Sequence, residues 1–282
     1  MRMDDAWERQ LDAAVAFLRR RLAGDYEVDE FGFDPDFNEH ALMPLARTLY
    51  YHWFRIEVEG LENVPSRGGA LVVANHAGTL PVDAIMVQVA MLDHHPAERK
   101  LRALGADLVY SLPLLSHLAR KSGHTLACRA DADRLLGRGE VVGVWPEGFK
   151  GIGKPYTERY KLQRFGRGGF VASALRAQVP IVPCSVVGAE EIYPMIGDLR
   201  ALARLLGLPY FPVTLTFPWL GVLGLLPLPS KWIIDFGEPV RTDVYPPESA
   251  DDTALVFELT DQIRETIQNR LHELLLRRGP AF

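Results

Sequence analysis

Two short apolar runs, Ala70-Leu-Val-Val-Ala74 and Val141 to Trp145, with a further strand over Pro180 to Val187, constrain this chain more than anything else in it. A continuous apolar segment of about 4–8 residues, without the alternation of a half-exposed strand, is what a strand buried on both faces presents. Sheets buried on both faces are built from crossover units, so helices must lie between such strands. The spacing predicts them over Val82 to Leu92, Leu108 to Arg120 and Phe165 to Gln178. Phe54 to Gly60 alternates apolar and polar residues as a half-buried strand does, and Trp232 to Phe236 reads as a late strand. A last helix, Thr253 to Arg278, places Leu255, Leu259, Ile263, Ile267, Leu271 and Leu274 on one side and stops at Gly279-Pro280. The expected class is α/β: a single domain with a largely parallel central sheet flanked by helices, plus amphipathic helices at both ends.

The N-terminal end differs in character. Residues 1–40 hold 11 acids against 5 bases, within a chain whose net charge is only -5. Met3 to Leu22 sets Trp7, Leu11, Val15, Leu18 and Leu22 on one helical face. Such a helix either packs on the body or lies on a membrane surface. Residues 25–40 read as an acidic linker, which divides the chain into 1–40, helix and linker, and 41–282, the main domain. Asp4, Asp5, Glu8 and Asp12 stand where a secretory signal needs a basic start and an apolar stretch. The longest uncharged run, Leu205 to Ser230, is interrupted by Pro209, Pro212, Pro218, Pro227 and Pro229. Those prolines rule out an unbroken spanning helix and leave an apolar loop and strand region that packs in the core or touches lipid.

With 48% hydrophobic and 24% charged residues the chain is neither disordered nor fibrous. Cys128 and Cys184 have no metal-type spacing, so a reduced setting is expected and no disulfide frame. The acidic balance disfavours nucleic acid as a partner. Between Lys150 and Arg176, however, seven Lys/Arg face a single acid, Glu158. That stretch is either a solvated helix face or a place for phosphate or an anionic surface.

Candidate chemistry lies at strand ends, where α/β sheets carry their sites. His76 follows the first apolar run directly, and an imidazole there can take a proton from a hydroxyl. Asp83 can hold its tautomer only if the chain folds back: seven helical steps would part the two residues by ~10.5 Å. Pro81 suits the first position of a helix, which leaves 76–80 as a Gly-containing loop able to make that return. Glu147, between Pro146 and Gly148, follows the second run on a sharp turn and is expected to be presented rather than buried in the strand. Arg129 ends the segment Gly123-His-Thr-Leu-Ala-Cys-Arg, and its planar fork suits phosphate or carboxylate. Asp93-His94-His95 lacks metal-ligand spacing and reads as exposed polar residues, so no metal is expected.

Taken in order, these segments resemble the four blocks of the glycerolipid acyltransferases, the lysophosphatidate acyltransferase-like enzymes, over about residues 50–240. The blocks are Asn75/His76/Asp83, Gly123 to Arg129, Trp145-Pro-Glu-Gly-Phe-Lys150 and Val179-Pro-Ile-Val-Pro183. Three features mark an outlying branch. Six residues rather than four separate His76 from Asp83, Phe149-Lys150 replaces Thr-Arg, and Leu126 replaces Phe. The resemblance implies a membrane-associated O-acyltransferase, peripheral on the cytoplasmic side, with His76 as general base and Asp83 orienting it. Arg129, Glu147, Gly148 and Lys150 would then position the acceptor's polar head. It implies acyl-CoA or acyl carrier protein as donor, a glycerolipid acceptor such as a lysophospholipid or glycerol phosphate, and no cofactor. The alternatives are a neutral-lipid acyltransferase and a catalytically silent lipid-binding protein.

Overall fold

The computed structural model describes the backbone of residues 3–282 and the side chains of 12–112 and 114–282, so Trp7 and Leu11 of the expected apolar face lie outside the described side chains. α1 (Met3–Ala23) is followed by an irregular acidic segment and then by helical turns over residues 35–53, where α2 (Pro35–Phe37) and α3 (Met43–Thr48) alternate with π turns. Next come β1 (Glu57–Glu59), β2 (Ala70–Ala74), α4 (Val82–His94), β3 (Leu101–Gly105), α5 (Asp107–Ser111), α6 (Pro113–Lys121) and β4 (Thr125–Leu126). The second half holds α7 (Arg129–Gly137), β5 (Val141–Val144), α8 (Phe149–Ile152), α9 (Gly169–Ala177) and β6 (Ile181–Val187). It closes with β7 (Met195–Asp198), α10 (Arg200–Leu205), β8 (Pro212–Thr214), β9 (Ile233–Phe236) and α11 (Thr253–Arg278).

One seven-stranded sheet runs in the order β1-β9-β6-β2-β5-β3-β4. The five strands from β6 to β4 are mutually parallel, while β9 pairs antiparallel with β6 and carries β1 parallel to itself. The largely parallel α/β sheet expected from the apolar runs is therefore present. β2 sits centrally and is buried on both faces. Ala70, Val72 and Ala74 join the core under α4 and residues 35–53, and Leu71 and Val73 join the core under α9 and α11. On the second face Ile263, Ile267, Leu271 and Leu274 of α11 are wholly buried. Each such side chain contributes about 1.5–3 kcal/mol, so both layers are needed to hold the sheet.

Local departures from the sequence expectation have local causes. The helix expected over 108–120 is split, because Leu112 precedes Pro113 and takes an extended conformation (φ -99°, ψ 110°). The helix expected from Phe165 begins only at Gly169, after Gly168 adopts φ +73°. β3 was not expected, since its pattern is interrupted by Arg102. That guanidinium is buried: it pairs with Asp29 at 2.8 Å and lies 5.5 and 5.0 Å from the ring centroids of Phe31 and Phe33. The acidic segment after α1 is thus tied to the sheet, with Phe31 and Phe33 buried and Asp34 accepting from Arg21 at 2.6 Å. His95, expected to be exposed, is buried instead; Nε2 faces the Val64 carbonyl at 2.9 Å and Nδ1 accepts from the Ala97 amide at 3.0 Å.

Candidate active site

Because β2, β5 and β6 are parallel neighbours, the loops leaving their C-terminal ends converge on one edge of the sheet. The loop after β2 begins at Asn75, fully buried, whose side-chain amide donates to the Val186 carbonyl (3.0 Å) and accepts from the Val186 amide (2.7 Å). This double bond to β6 continues the ladder one residue past the strand and sets the direction of His76. The chain then turns back through Gly78 (φ +78°) into α4, which starts at Val82 with Pro81 as its cap instead of its first helical residue.

Asp83 consequently lies in the first turn of α4, wholly buried, with its carboxylate facing the loop. Oδ2 is 2.8 Å from His76 Nδ1 and accepts the Ala77 amide at 2.9 Å, while Oδ1 accepts the Ala84 amide at 2.9 Å. A carboxylate held by amide donors can only accept, so Nδ1 of His76 carries the proton and Nε2 is left with its lone pair. The imidazole is mostly enclosed, 13% exposed, with the Trp145 ring 5.9 Å away at a 44° tilt. Only the free edge of the ring remains for a reacting group.

The loop after β5 supplies the support. The Trp145–Gly148 turn closes with a 3.0 Å bond from the Gly148 amide to the Trp145 carbonyl. Gly148 takes φ +55°, ψ -143°, a conformation open to glycine alone. Glu147 lies past the end of β5 on this turn and is buried, 4% exposed. Its Oε1 accepts the His76 amide at 2.9 Å, and its Oε2 accepts the Gln163 amide at 2.6 Å. The carboxylate therefore braces the backbone under His76 and has its oxygens committed to the protein. Lys150 is exposed on the single turn of α8. Arg129 is exposed at the start of α7, 3.6 Å from Asp133. It follows β4, three strands from β2, which at ~4.8 Å per strand is roughly 14 Å across the sheet. The fold brings His76, Asp83 and Glu147 together and leaves Arg129 at the sheet edge.

Proteins of Mycobacterium tuberculosis and Mycobacterium leprae, both described as uncharacterized, are similar over nearly the whole chain. The first is 60% identical over 274 residues, 97% of this chain and 76% of that one; the second is 59% identical over 271 residues, 96% and 74%. The family model described as Acyltransferase matches residues 55–187, the span from β1 to the end of β6 that contains His76, Asp83 and Glu147. The chain belongs to the acyltransferase family. The crystal structure of the 1-acyl-sn-glycerophosphate (LPA) acyltransferase PlsC from Thermotoga maritima shares the fold, with a TM-score of 0.54, 18% identity, and coverage of 95% of this chain and 97% of that one. A more distant likeness, 26% over 148 residues (52% of this chain, 43% of that one), is to a DGAT1/2-independent enzyme synthesizing storage lipids from Bos taurus. The family resemblance read from the four blocks is thereby borne out.

Sequence reasoning missed the cation at the centre of this acyltransferase's site. Lys154, buried, lies 3.5 Å from Glu147 Oε2 and 3.0 Å from Glu190 Oε1, and it donates to the Lys161 carbonyl at 3.3 Å. Burial pushes the Glu190 carboxyl up to about 7, against the pull of Lys154. In the sequence Lys154 is one of seven bases in a stretch that looks like solvated surface, and nothing in its neighbours Gly153 and Pro155 marks it as internal. Tyr210 was missed as well; from the proline-broken run its hydroxyl reaches back to donate to the Thr79 carbonyl at 2.7 Å. Among the described residues no cluster of three His, Cys, Asp or Glu is placed to hold a metal ion.

Gly151 reports how tightly these parts fit. A Cβ there would stand 2.7 Å from the Cβ of Glu147 and 3.0 Å from that of His76. Gly151→Ala is expected to cost about 1–3 kcal/mol in stability. It should also lower kcat about tenfold or more, since sub-ångström displacement of a base is enough to spoil proton transfer. Steady-state kinetics and a thermal melt on the same preparation check this; unchanged kcat would mean the brace tolerates movement.

Proposed function

We propose that this acyltransferase moves a fatty acyl group from an acyl thioester, acyl-CoA or acyl-ACP, to a hydroxyl of a glycerolipid at a membrane surface. The observation that carries the reading is the 2.8 Å contact between His76 Nδ1 and the buried Asp83 carboxylate at the end of a central strand. His76 Nε2 accepts the acceptor's hydroxyl proton as its oxygen attacks the thioester carbonyl, and Asp83 stabilises the imidazolium that forms. The leaving thiol has a pKa of ~8.5 and departs readily as thiolate, so the imidazolium proton suffices for its neutralisation. No acyl-enzyme is invoked. A lysophospholipid or glycerol phosphate is the acceptor class suggested by the family blocks.

A neutral acceptor such as diacylglycerol is favoured by one specific observation. The lysine inside the site, Lys154, is committed to Glu147 and Glu190, and Lys150, which replaces the arginine of the third block, lacks its bidentate geometry. Purified protein, labelled acyl-CoA and a panel of lysophosphatidate, glycerol 3-phosphate, monoacylglycerol and diacylglycerol separate the readings. His76-dependent transfer to at least one acceptor is expected. Transfer to none would overturn the proposal, and undiminished rates on phosphate-free acceptors would select the neutral-lipid reading.

Membrane docking is supported by the exposed apolar side chains of the run 205–230: Leu205 is 81% and Val222 82% exposed, with Leu206, Trp219, Leu223 and Leu226 more than half exposed. A patch of this kind is a lipid or protein contact rather than ordinary surface. Among the described residues no helix is long and apolar enough to cross a membrane. In flotation with phospholipid vesicles, Val222→Ser/Leu223→Ser/Leu226→Ser is expected to lose most of the bound fraction of the wild type, because each leucine-sized side chain withdrawn from lipid forfeits about 2 kcal/mol. Equal flotation of the two proteins would place docking elsewhere.

A further inference from the structure

A cleft of about 320 Å³ lies beside the acyl-transfer site, between the loop after α8 and the last turns of α11. Its volume falls within the ~300–1,000 Å³ of small-molecule sites. The charged and titratable residues that line it are Arg159, Tyr160, Lys161, Glu191, His272 and Arg278. Glu191 is spoken for: Arg278 donates to it at 2.9 and 3.2 Å, and so does the Tyr160 hydroxyl. Arg278 is nearly buried, its side chain 5% exposed, and among the described residues its Nε has no hydrogen-bond partner. Arg159 is exposed, stacks on Tyr156 with its guanidinium carbon 4.3 Å from the ring centroid, and donates to the Tyr156 carbonyl at 3.2 Å. Lys161 is exposed on the same rim. Among the described residues neither Arg159 nor Lys161 is ion-paired, so the cleft holds two free cations around a neutralised floor.

One residue, Arg159, is shared between this cleft and the surroundings of the reacting groups. Arg159 also lines the small cavity formed by Gly78, Thr79, Gly151 and Lys154, which adjoins His76. A ligand with an anionic handle in the cleft is thus held beside Arg159, at the border of the cavity, itself about 10 Å³, that adjoins His76. We propose that the cleft binds the phosphate groups of coenzyme A, with Arg159 and Lys161 as their ligands. The proposal rests on the thioester-donor reading and adds the place where the donor is held. A guanidinium pre-set against an aromatic ring offers two parallel donors to a phosphate, and Lys161 adds a mobile point charge.

The test is titration of coenzyme A itself into the full chain by calorimetry, comparing wild type with Arg159→Ala/Lys161→Ala. Both side chains are exposed, so the variant should melt like the wild type. Its Kd for coenzyme A is expected to rise about tenfold or more, with a weaker dependence on salt. In turnover, KM for acyl-CoA should rise in parallel at unchanged kcat, whereas an acyl thioester of N-acetylcysteamine, which has no phosphate, should be used equally by both proteins. Equal coenzyme A affinity of the two proteins, or none in the wild type, overturns the proposal. So does a shift confined to the KM of a phosphate-bearing acceptor, which would make the cleft a lipid headgroup site. If no acyl transfer is found but coenzyme A binding still weakens in the variant, the function fails and the cleft stands.

Discussion

Replacing His76 by alanine should lower kcat/KM for acyl transfer by about 10²–10⁴-fold, the usual contribution of a positioned general base. Little of that loss should appear as unfolding. The Asp83 carboxylate, stripped of the imidazole, keeps the amides of Ala77 and Ala84 as donors, and the ring that is lost lies at the partly exposed mouth of the site. A thermal midpoint within about 3 °C of the wild type is therefore expected. Asp83→Asn should reduce the rate comparably by a different route: an amide opposite Nδ1 no longer selects the tautomer that leaves Nε2 as proton acceptor. Because the same oxygen accepts the Ala77 amide at 2.9 Å, this variant should also loosen the 76–81 loop and melt earlier than His76→Ala. Steady-state kinetics with melts of both variants decide the matter. A His76→Ala protein that keeps more than ~10% of kcat/KM would remove the imidazole from the mechanism.

The second large effect is expected at Lys154. Lys154→Met leaves Glu147 and Glu190 in a dry interior without their shared cation, a change that typically costs about 3–5 kcal/mol, or roughly 5–8 °C in a chain of this size. Activity should fall with it, since Glu147 holds the His76 amide. The pH dependence has a definite sign. Glu190 is raised by burial to about 7, whereas an exposed glutamate titrates near ~4.3. Its contribution to stability is thus fully present below the unfolded value and is lost as pH rises towards about 7. Glu190→Gln should flatten that segment of the stability profile in the wild-type background and rescue Lys154→Met most strongly above neutrality. Melts of the three proteins from pH 5 to pH 8 check this; a Lys154→Met protein as stable as the wild type at pH 8 would show that the lysine is dispensable.

How far the site was legible depends on how local each relationship is. The return of Asp83 to His76 could be argued from Pro81 and Gly78, because a loop of five residues has few ways to close, and the coordinates differ only in making Pro81 the cap instead of the first helical residue. The commitment of the Glu147 carboxylate to the protein is not legible in the chain. The Pro-Glu-Gly turn is visible in the chain, but the amides that draw the carboxylate inward belong to residues 71 positions before it and 16 after it. Arg129 was grouped with the site by its place in an ordered set of blocks; strand order, which sets it three strands from β2, is not written in block order.

What the linear chain determined unaided was the α/β class, the central position of the apolar strands and the identity of the imidazole at a strand end. Those follow from burial: a run such as Ala70 to Ala74 has no polar edge to expose and must be covered on both sides. What tertiary structure alone decided was the state of the charged groups. Lys154 and Lys150 are the same residue type four positions apart in one basic stretch, yet one is sealed between two carboxylates and the other faces solvent. A charge takes its character from whatever the fold sets within a few ångströms of it, and in a crossover sheet those neighbours come from distant parts of the chain.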